Sequence, residues 1–417
     1  MATTIKGLTG NEAAAWAVRL ARIKAAFSFP MGPNAEVTET LQTFVDNGEI
    51  RDLKVIYGDN EKAAASMQIG MTRLGMRSML CINSEGILWA ASEIHYAAGS
   101  RLPMLLVCPS RSLEPPTTIY CDHDDFMCQR DMGWLMFYCE NAQDVFDTIL
   151  QAYKIMENET VMLPAIVGYD GWETSHASMA VSMPDQASID RFLPAPAFIR
   201  PEKDYLNVDW KERSSHRRRQ KGLGGQDFMD LRYLQQKAQE DSIDVIEKVG
   251  NEYHEVFGSH HVGPLELHEC KDAEVVVVTM GVIYPSVKFV IDALRQKGLK
   301  IGCVKLRVFR PLPVRALRDA LRATRLVITI ERNSVAALFS DLKGALYPDP
   351  LGSQSGACPG VMGRVVGIGG CAITLEHISH IVEEGLQSLK LGRMGQALDW
   401  YPIKGVKFDP TRDLIAE

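Results

Sequence analysis

Short apolar segments alternate with helix-forming segments between about residues 10 and 180. "DLKVIYGD", "RSMLCIN", "RLPMLLVCPS" and "VMLPAIVGYDG" predict buried strands, whereas "NEKAAASMQIGMTRLGM" and "SEGILWAASEIHYAAGS" predict helices. Strands of roughly 4–8 apolar residues that alternate with such helices indicate a parallel sheet covered on both faces. The loops at the carboxyl ends of such strands build the ligand site. The chain is therefore predicted to be an α/β protein with a site in its first part.

A second α/β domain is predicted towards the C-terminus. A chain of 417 residues is too long for one typical core. "DAEVVVVTMG", "KIGCVKLRVFRPL", "RLVITIERN" and "GRVVGIGG" predict four further strands, with helices between them. The intervening stretch is polar and charged, and only "SIDVIEKVGNEYHEVFG" near its end is typical of a helix. We expect a first domain over 1–195, a linker over 196–262 and a second domain over 263–417.

Charge and cysteine content exclude several classes of function. A net charge of -7 argues against a nucleic-acid surface. No apolar run is long enough to predict a membrane span, and we expect a cytoplasmic protein. The nine cysteines are scattered without any CxxC pair. A disulfide framework and an iron–sulfur cluster within this chain are therefore not expected.

The loop "FSFPMGPNAE" interrupts the helical pattern with two prolines and a glycine. The preceding segment "NEAAAWAVRLARIKAAF" and the following segment "AEVTETLQTFVDNG" both predict helices. Gly32 at the tip of this loop either relaxes a turn or leaves space for a ligand.

Two charged residues follow predicted strands and are candidates for ligand binding. Glu61 begins a helix directly after a strand, where a carboxylate also favours the helix dipole. Arg111 follows the next strand but one in "CPSRSLEPPTT", where Pro115 and Pro116 stiffen the loop. An arginine in a rigid loop suits a bidentate contact with a carboxylate, whereas an isolated surface arginine is the alternative.

Other polar clusters predict no metal site. "CDHDDFMCQRD" and "SHHVGPLELHEC" are rich in potential ligands, but their spacings match no common zinc pattern. "GIGGCAITLEHI" lacks the full dinucleotide fingerprint and predicts a tight strand–helix turn. "HRRRQK" is typical of a solvated linker face. We therefore predict no metal bound by this chain alone.

Several segments together resemble the α chain of the 2-oxoacid:acceptor oxidoreductases, which use thiamine diphosphate. "SFPMGPNAE" resembles that family's "YPITPS" loop, and "GDNEKAAASMQIG" resembles its glutamate-containing helix. "SRLPMLLVCPSR", "DHDD" and "YDGWETSH" resemble its "RLP…R", "DHQD" and "DGFxxSH" segments, in the same order. "KIGCVKLRVFRPLP" resembles a strand of its transketolase C-terminal-like domain. The resemblance implies a pyrimidine-binding domain followed by a transketolase C-terminal-like domain.

The resemblance also implies roles for individual residues. Glu61 aligns with the glutamate that bonds the aminopyrimidine of thiamine diphosphate, and Arg111 aligns with the arginine that holds the substrate carboxylate. Further residues are implied near the cofactor, namely Ser84, Gly86 and Trp89. Others are implied near the substrate, namely Gly32, Phe29 and Met31. A gating loop is implied at Asp122, His123 and Asp125.

The subunit composition of the enzymes in this family implies that the chain is one subunit of a larger enzyme. A β subunit would bind the diphosphate and Mg²⁺, because the G-D-G motif with its following Asn does not occur here. γ-type, ferredoxin-like and flavin subunits would carry iron–sulfur clusters and FAD. Coenzyme A would accept the acyl group. The chain alone is expected to be inactive.

The missing side chain at Gly32 favours a bulky 2-oxoacid. Family members specific for pyruvate carry threonine at this position, and the oxalate enzyme, whose "RTLDPP" segment resembles "RSLEPP" here, carries arginine. The chain is most similar to the phenylglyoxylate/oxalate branch of the pyruvate:ferredoxin oxidoreductase family. We expect phenylglyoxylate, converted to benzoyl-CoA with electrons passed to NAD. The alternatives are pyruvate, oxalate or a branched-chain 2-oxoacid with ferredoxin as acceptor. A different thiamine enzyme and a non-catalytic scaffold subunit remain rival classes.

Overall fold

The computed structural model describes residues 3–196, 225–347 and 358–401. In chain order the strands are β1 (Thr3–Leu8), β2 (Ala25–Ser28), β3 (Lys54–Tyr57), β4 (Ser78–Cys81), β5 (Leu105–Ser110), β6 (Leu135–Cys139), β7 (Ala165–Asp170), β8 (Met179–Pro184), β9 (Leu265–His268), β10 (Val275–Thr279), β11 (Ile301–Leu306), β12 (Val308–Arg310), β13 (Leu326–Glu331), β14 (Gly360–Val365) and β15 (Leu398–Trp400). The helices are α1 (Gly10–Leu20), α2 (Ala35–Asp46), α3 (Glu61–Arg73), α4 (Glu85–Trp89), α5 (Ala91–Gly99), α6 (Asp124–Met127), α7 (Ala142–Met156), α8 (Gln186–Phe192), α9 (Gly225–Phe257), α10 (Ile283–Gln296), α11 (Val314–Ala320), α12 (Ala337–Leu346) and α13 (Leu375–Leu391).

Two sheets form the framework, and both are predominantly parallel. The first sheet has the strand order β12-β6-β7-β5-β4-β2-β3, in which β12 alone runs antiparallel to its neighbour. The second has the order β15-β14-β13-β10-β11-β9, with β9 antiparallel. A small antiparallel pair, β1 and β8, lies apart from both. The predicted α/β class with two parallel sheets is confirmed.

Helices cover the first sheet on both faces. Strands β2, β4, β5, β6 and β7 are buried along their whole length, as expected for central strands of a parallel sheet. One core cluster packs α1 and α7 on one face of this sheet. The cluster on the other face contains residues of both sheets, including Leu106 of β5 and Val278 of β10. The two sheets therefore share a hydrophobic core.

Helix boundaries follow local capping. In α1 the Thr9 side chain accepts from the Glu12 N–H, and Glu12 accepts from the Thr9 N–H, which is a complete capping box. In α3 the Asn60 side chain accepts from the Ala63 N–H. None of the helices in the described ranges is both long enough and apolar enough to cross a bilayer.

Four segments differ from the sequence-based expectation. The predicted strand "KIGCVKLRVFRPL" is divided into β11 of the second sheet and β12, which pairs with β6 of the first sheet. Helix α1 ends at Leu20, and residues 25–28 form a central strand instead of continuing the helix. The predicted helix in "SEGILWAASEIHYAAGS" is divided at Ala90 into α4 and α5. Helix α9 begins at Gly225, well before the predicted start near Ser242. The basic run "HRRRQK" lies outside the described residues.

Candidate active site

The loops that follow four neighbouring strands carry most of the predicted site residues. Glu61 follows β3, Gly32 follows β2, Ser84 and Gly86 follow β4, and Arg111 follows β5. These strands are adjacent and parallel in the order β3-β2-β4-β5. Their carboxyl ends therefore meet at one edge of the sheet, where a ligand site is expected.

Glu61 is buried at the first turn of α3, with 4% of its surface exposed. A Cβ added to Gly86 would lie 2.6 Å from both Cγ and Oε1 of Glu61, so Gly86 presents bare backbone to this side chain. Among the residues that the structure describes, no hydrogen bond or ion pair involves the Glu61 carboxylate. The two carboxylate oxygens are not among the fully buried unpaired atoms, so they remain open to a ligand at this edge.

Ser84 adopts an uncommon backbone conformation between β4 and α4. Its φ is 52° and its ψ is -138°, and its side chain is buried. The Ser84 hydroxyl oxygen lies 2.6 Å from Oε2 of Glu85 and 2.7 Å from the carbonyl oxygen of Ser112. Glu85 also accepts from the Glu114 N–H. Burial would raise the pKa of the Glu85 carboxyl, but these donors together hold it below its usual value.

Arg111 is buried, and its guanidinium contacts three segments of the chain. Nε donates to the carbonyl oxygen of Thr118 at 3.0 Å, and Nη1 donates to that of Gly32 at 3.2 Å. Nη2 donates to Oε1 of Glu114 at 2.5 Å. The alternative of an isolated surface arginine is wrong. Because guanidinium groups suit carboxylates, Glu114 occupies part of the position that a ligand carboxylate would take.

The loop after β2 is held at its base and open at its tip. A Cβ added to Gly32 would have no neighbour within 4 Å. The carbonyl oxygen of Pro33 accepts from the side-chain amide of Asn11 at 2.8 Å. Phe29 and Met31 of this loop are both half-buried. The tip of the loop therefore has room beside Arg111.

Trp89 lies at the exposed end of α4. It is 61% exposed, and the preceding Leu88 is 46% exposed. The structure thus places Trp89 on the outer rim, three residues beyond Gly86, while Glu61, Ser84 and Gly86 are buried.

The acidic loop after β5 is buried at all three predicted positions, Asp122, His123 and Asp125. Nε2 of His123 lies 3.1 Å from Oδ1 of Asp170, the last residue of β7. Burial raises the pKa of Asp125 to about 7, although the N–H groups of Arg111 and Ser84 favour its charged form. Burial and the neighbouring Asp124 also raise the pKa of Asp122.

The second sheet contacts this acidic loop directly. Nη1 of Arg332, which follows β13, donates to Oδ1 of Asp170 at 2.9 Å. The N–H of Ser334 donates to Oδ1 of Asp124 at 2.8 Å, and the main chain of His123 donates to the Arg332 carbonyl at 2.7 Å. Burial would raise the pKa of Asp170, but His123 and Arg332 together hold it below its usual range.

One group outside this edge has the geometry of a metal site. Ligand atoms of Glu140, Asp144 and His261 lie within 4.8 Å of one another. Nζ of Lys305 lies 3.1 Å from Oε2 of Glu140 and 3.8 Å from Oδ2 of Asp144. Nη2 of Arg307 also lies 3.3 Å from Oδ1 of Asp144, so two cationic side chains already pair with the two carboxylates. The group is therefore an ionic contact between the first and second sheets.

A cleft of about 1170 Å³ lies away from these loops. It is bounded by one face of α9 and by residues 310–316, and its lining includes both arginines and acids. None of the predicted site residues in the described ranges lines it. Its mixed charge does not favour one class of ligand.

Sequence reasoning missed the residues that join the loops. The side-chain amide of Asn34 donates to Oδ1 of Asn83 at 3.3 Å, and the amide of Asn83 donates to the Pro109 carbonyl at 2.9 Å. Asp170 and Glu114 were not predicted either, although both lie in segments that carried the family resemblance. The only sequence signal that these residues give is a polar side chain close to the end of a predicted apolar strand.

Two family models match the chain. "Pyruvate flavodoxin/ferredoxin oxidoreductase, thiamine diP-bdg" matches residues 16–254. "Pyruvate:ferredoxin oxidoreductase core domain II" matches residues 273–378. The first match contains the loops described above, and the second contains most of the second sheet.

Curated relatives match over nearly the whole chain. Pyruvate synthase subunit PorA of Pyrococcus abyssi is 31% identical over 95% of this chain and 98% of its own length. Ketoisovalerate oxidoreductase subunit VorA of Pyrococcus horikoshii is 32% identical over 96% of this chain and 98% of its own length. Relatives named for different substrates thus match about equally well, so the matches do not separate substrate branches.

Solved structures share the fold at low sequence identity. A 2-oxoglutarate:ferredoxin oxidoreductase from Magnetococcus marinus superposes with a TM-score of 0.67 at 16% identity, covering 92% of this chain and 65% of that chain. A split-gene transketolase gives a TM-score of 0.52 at 13% identity, covering 92% of this chain and 99% of that chain. The expectation of a thiamine-diphosphate-dependent oxidoreductase of the 2-oxoacid class is confirmed by the family matches. The chain belongs to the thiamine-diphosphate-binding pyruvate flavodoxin/ferredoxin oxidoreductase family.

Proposed function

We propose that this chain is the α subunit of a heteromeric enzyme that oxidatively decarboxylates a 2-oxoacid to an acyl-CoA and CO2. The observation that carries the proposal is the unpartnered carboxylate of Glu61, a residue only 4% exposed, at the same sheet edge as Arg111. A carboxylate is suited to bond a ring nitrogen of thiamine diphosphate, and a guanidinium is suited to hold a substrate carboxylate.

The residues of this edge fit the pyrimidine half of the cofactor. Glu61 lacks a protein partner, and Gly86 leaves the space that the Glu61 side chain needs. When bound, thiamine diphosphate supplies the carbon nucleophile and the electron sink for decarboxylation. Glu61 would hold and move a proton at its carboxylate, Ser84 and Gly86 would line the ring, and Trp89 would cover its rim.

Partner subunits would complete the enzyme. A β subunit would hold the diphosphate and Mg²⁺, while γ-type, ferredoxin-like and flavin subunits would carry the iron–sulfur clusters and FAD. The exposed Leu88 and Trp89 beside the site support a partner there, because apolar surface of this kind is commonly covered by another chain. A cytoplasmic location is part of the proposal, and the nine free thiols are in keeping with a reducing compartment.

The substrate proposal depends on Gly32. The open space at this position supports a bulky 2-oxoacid, with Phe29 and Met31 as apolar wall residues and phenylglyoxylate as the leading member. Electrons would then pass to NAD through the flavin subunit. The second candidate is pyruvate or ketoisovalerate with ferredoxin as acceptor, which the names of the relatives favour.

We also propose a division of the chain into a first domain over 1–195, a linker over 196–262 and a second domain over 263–417. A further part of the proposal is gating of the site by the loop that carries Asp122, His123 and Asp125. To open, this loop would have to break the His123–Asp170 contact and the bonds from Ser334 to Asp124. If the movement includes Asp125, the bonds from the Ser84 and Arg111 N–H groups would break as well.

Glu61→Gln in the assembled native complex tests the catalytic assignment. We expect kcat to fall ~100-fold or more, because glutamine cannot transfer a proton. Glu39→Gln, on the exposed side of α2, is the matched control and should keep full turnover. Full turnover of the Glu61→Gln complex would instead identify a scaffold subunit.

A substrate panel tests the specificity. Phenylglyoxylate, pyruvate, oxalate, 2-oxoisovalerate and indolepyruvate would be compared by kcat/KM, with coenzyme A and viologen under anaerobic conditions. The proposal expects phenylglyoxylate to be preferred. A preference for pyruvate or 2-oxoisovalerate would retain the 2-oxoacid reaction and reject the interpretation of Gly32.

A further inference from the structure

Asp125 connects the two loops that carry the proposed cofactor and substrate residues. Its side chain is fully buried. Oδ2 accepts the N–H of Ser84 at 2.9 Å and the N–H of Arg111 at 3.0 Å. Oδ1 accepts the N–H of Phe126 at 2.7 Å. A single carboxylate oxygen therefore joins the loop after β4 to the loop after β5.

The two main chains that Asp125 joins have different proposed roles. Ser84 precedes the turn in which Gly86 packs against Glu61, and Arg111 carries the guanidinium for the substrate carboxylate. Because both N–H groups bond the same oxygen, a shift of either loop would lengthen or bend one of these bonds. Active-site groups must be held within about 0.5 Å of their productive geometry, and bonds of this kind supply that restraint.

The backbone of Ser84 gives a second reason to assign this role to Asp125. A positive φ of 52° at a residue other than glycine is unfavourable and persists only where the surroundings enforce it. The N–H bond to Asp125 provides that enforcement. The Ser84 hydroxyl has one hydrogen, which Oε2 of Glu85 and the Ser112 carbonyl both approach, so its contact with the residue that follows Arg111 adds less than a full bond between the two loops.

We propose that Asp125 is a positioning residue that sets the distance between the cofactor turn and Arg111 through its two shared main-chain bonds. This inference rests on the proposed function for the roles of the two loops. Asp125 is assigned no contact with substrate or cofactor and acts through the main chains of Ser84 and Arg111.

Asp125→Asn in the native heteromeric complex is the first test. Asparagine offers one acceptor oxygen: with that oxygen at the Oδ2 position its NH2 group faces the Phe126 N–H, and with it at the Oδ1 position both shared bonds are lost, so the three bonds cannot all be kept. We expect the KM for the 2-oxoacid and the Kd for thiamine diphosphate each to rise roughly 10-fold, the loss typical of one hydrogen bond. We expect kcat at saturation to change much less than these two constants.

Asp147→Asn is the matched control for loss of a buried acid. Asp147 is also buried, accepts bonds from Tyr253 and Ser259, and lies on α7 away from the site. Its replacement should leave the KM and the cofactor Kd unchanged, even where the Tm of the complex falls. An Asp125→Asn complex whose KM and cofactor Kd match those of the Asp147→Asn complex would overturn the proposal.

Residue-resolved amide exchange in the unmodified complex provides a second test that does not depend on the variant folding. Adding thiamine diphosphate should slow exchange at the N–H of Ser84 and also at the N–H of Arg111, because Asp125 couples them. Slowing at Ser84 alone would overturn the proposal. A complex that binds thiamine diphosphate but converts no 2-oxoacid would reject the proposed function, while these exchange rates would still report on Asp125.

Discussion

Glycine at position 86 is required by the close approach of Glu61. A side-chain Cβ at this position would lie 2.6–2.7 Å from Cγ, Oε1 and Cδ of Glu61, well inside van der Waals contact. Both residues are buried, so the Glu61 side chain has little space in which to move away. The conformation of the Glu61 carboxylate therefore depends on the absence of one methyl group.

Gly86→Ala should displace the Glu61 carboxylate and reduce turnover. We expect kcat of the complex to fall ~10-fold to 100-fold, because a displacement of about 1 Å at a reacting group has an effect of this size. The measurement is kcat with saturating 2-oxoacid and thiamine diphosphate, together with the Tm of the complex.

Gly70→Ala is the control for that substitution. Gly70 lies inside α3, and a Cβ there would have no neighbour within 4 Å. Alanine in a helix interior is more favourable than glycine by roughly 0.5–1 kcal/mol, so the Gly70→Ala complex should be as stable or slightly more stable with normal kcat. Equal kcat values for the two variants would show that the Gly86 contact does not constrain Glu61.

Individual site residues could be predicted where a motif names them, but their contacts could not. Glu61 and Arg111 follow predicted strands, and the structure brings both to one sheet edge. The bonds that Asp125 receives from Ser84 and Arg111 come from main-chain N–H groups, which carry no residue-type signal. Such contacts depend on how loops distant in sequence meet, and only the folded chain fixes that arrangement.

Secondary structure elements were predictable where their apolar pattern had one interpretation. The valine-rich segment of β10 is buried throughout, as its β-branched composition predicts. Residues 25–28 have helix-forming alanines, yet they pair with β3 and β4 on either side. Tertiary pairing overrides the local preference there. The two halves of the segment from Glu85 to Gly99 form separate helices for a reason that composition does not reveal.

The turn after β13 is the element through which the second sheet holds the acidic loop. Arg332 is 1% exposed and donates to Asp170, Glu173 and the Gly367 carbonyl. Removing one partner of a buried pair leaves the other charge uncompensated, at a cost of roughly 3–5 kcal/mol. This turn should therefore contribute strongly to stability.

Arg332→Met should lower the Tm of the complex by ~6 °C or more, on the usual relation between free energy and Tm for large domains. The matched control is Arg325→Met, because Arg325 pairs with Glu274 at 3.2 Å with both side chains exposed. Exposed pairs contribute about 0–1 kcal/mol, so the control should change the Tm little. If both variants melt alike, the buried pair does not stabilise the contact between the sheets.

At the scale of the whole molecule, the two sheets are interlocked. Strand β12 follows β11 of the second sheet but pairs with β6 of the first. Lys305 on β11 contacts Glu140 next to β6 and Glu266 on β9. The family resemblance predicted two domains, but a strand that crosses from one to the other could not be inferred from apolar periodicity. Unfolding of either sheet should therefore disrupt the other.

Buried carboxyl groups make the stability of this fold depend on pH. Burial raises the pKa values of Asp125, Asp147 and Glu331 to about 7 each. Between about pH 4 and pH 7 such a group keeps its proton in the folded state and releases it in the unfolded state. Its contribution to stability is therefore full below about pH 4 and is lost as the pH rises through about 7. The lowered pKa of His261, which burial causes, acts in the opposite direction below about pH 6.5.

Asp147→Asn isolates one of these groups, because asparagine keeps the shape of the protonated carboxyl and does not titrate. The Tm of the variant minus the Tm of the unmodified complex should increase from pH 5 to pH 7 and then level off. For one proton, the free energy of unfolding changes by about 1.4 kcal/mol per pH unit over this range. Each kcal/mol shifts the Tm of a large domain by about 2–4 °C. A constant difference for Asp147→Asn would mean that Asp147 is already ionised in the folded chain, with Tyr253, Ser259 and Gln143 providing enough hydrogen bonds to offset its burial.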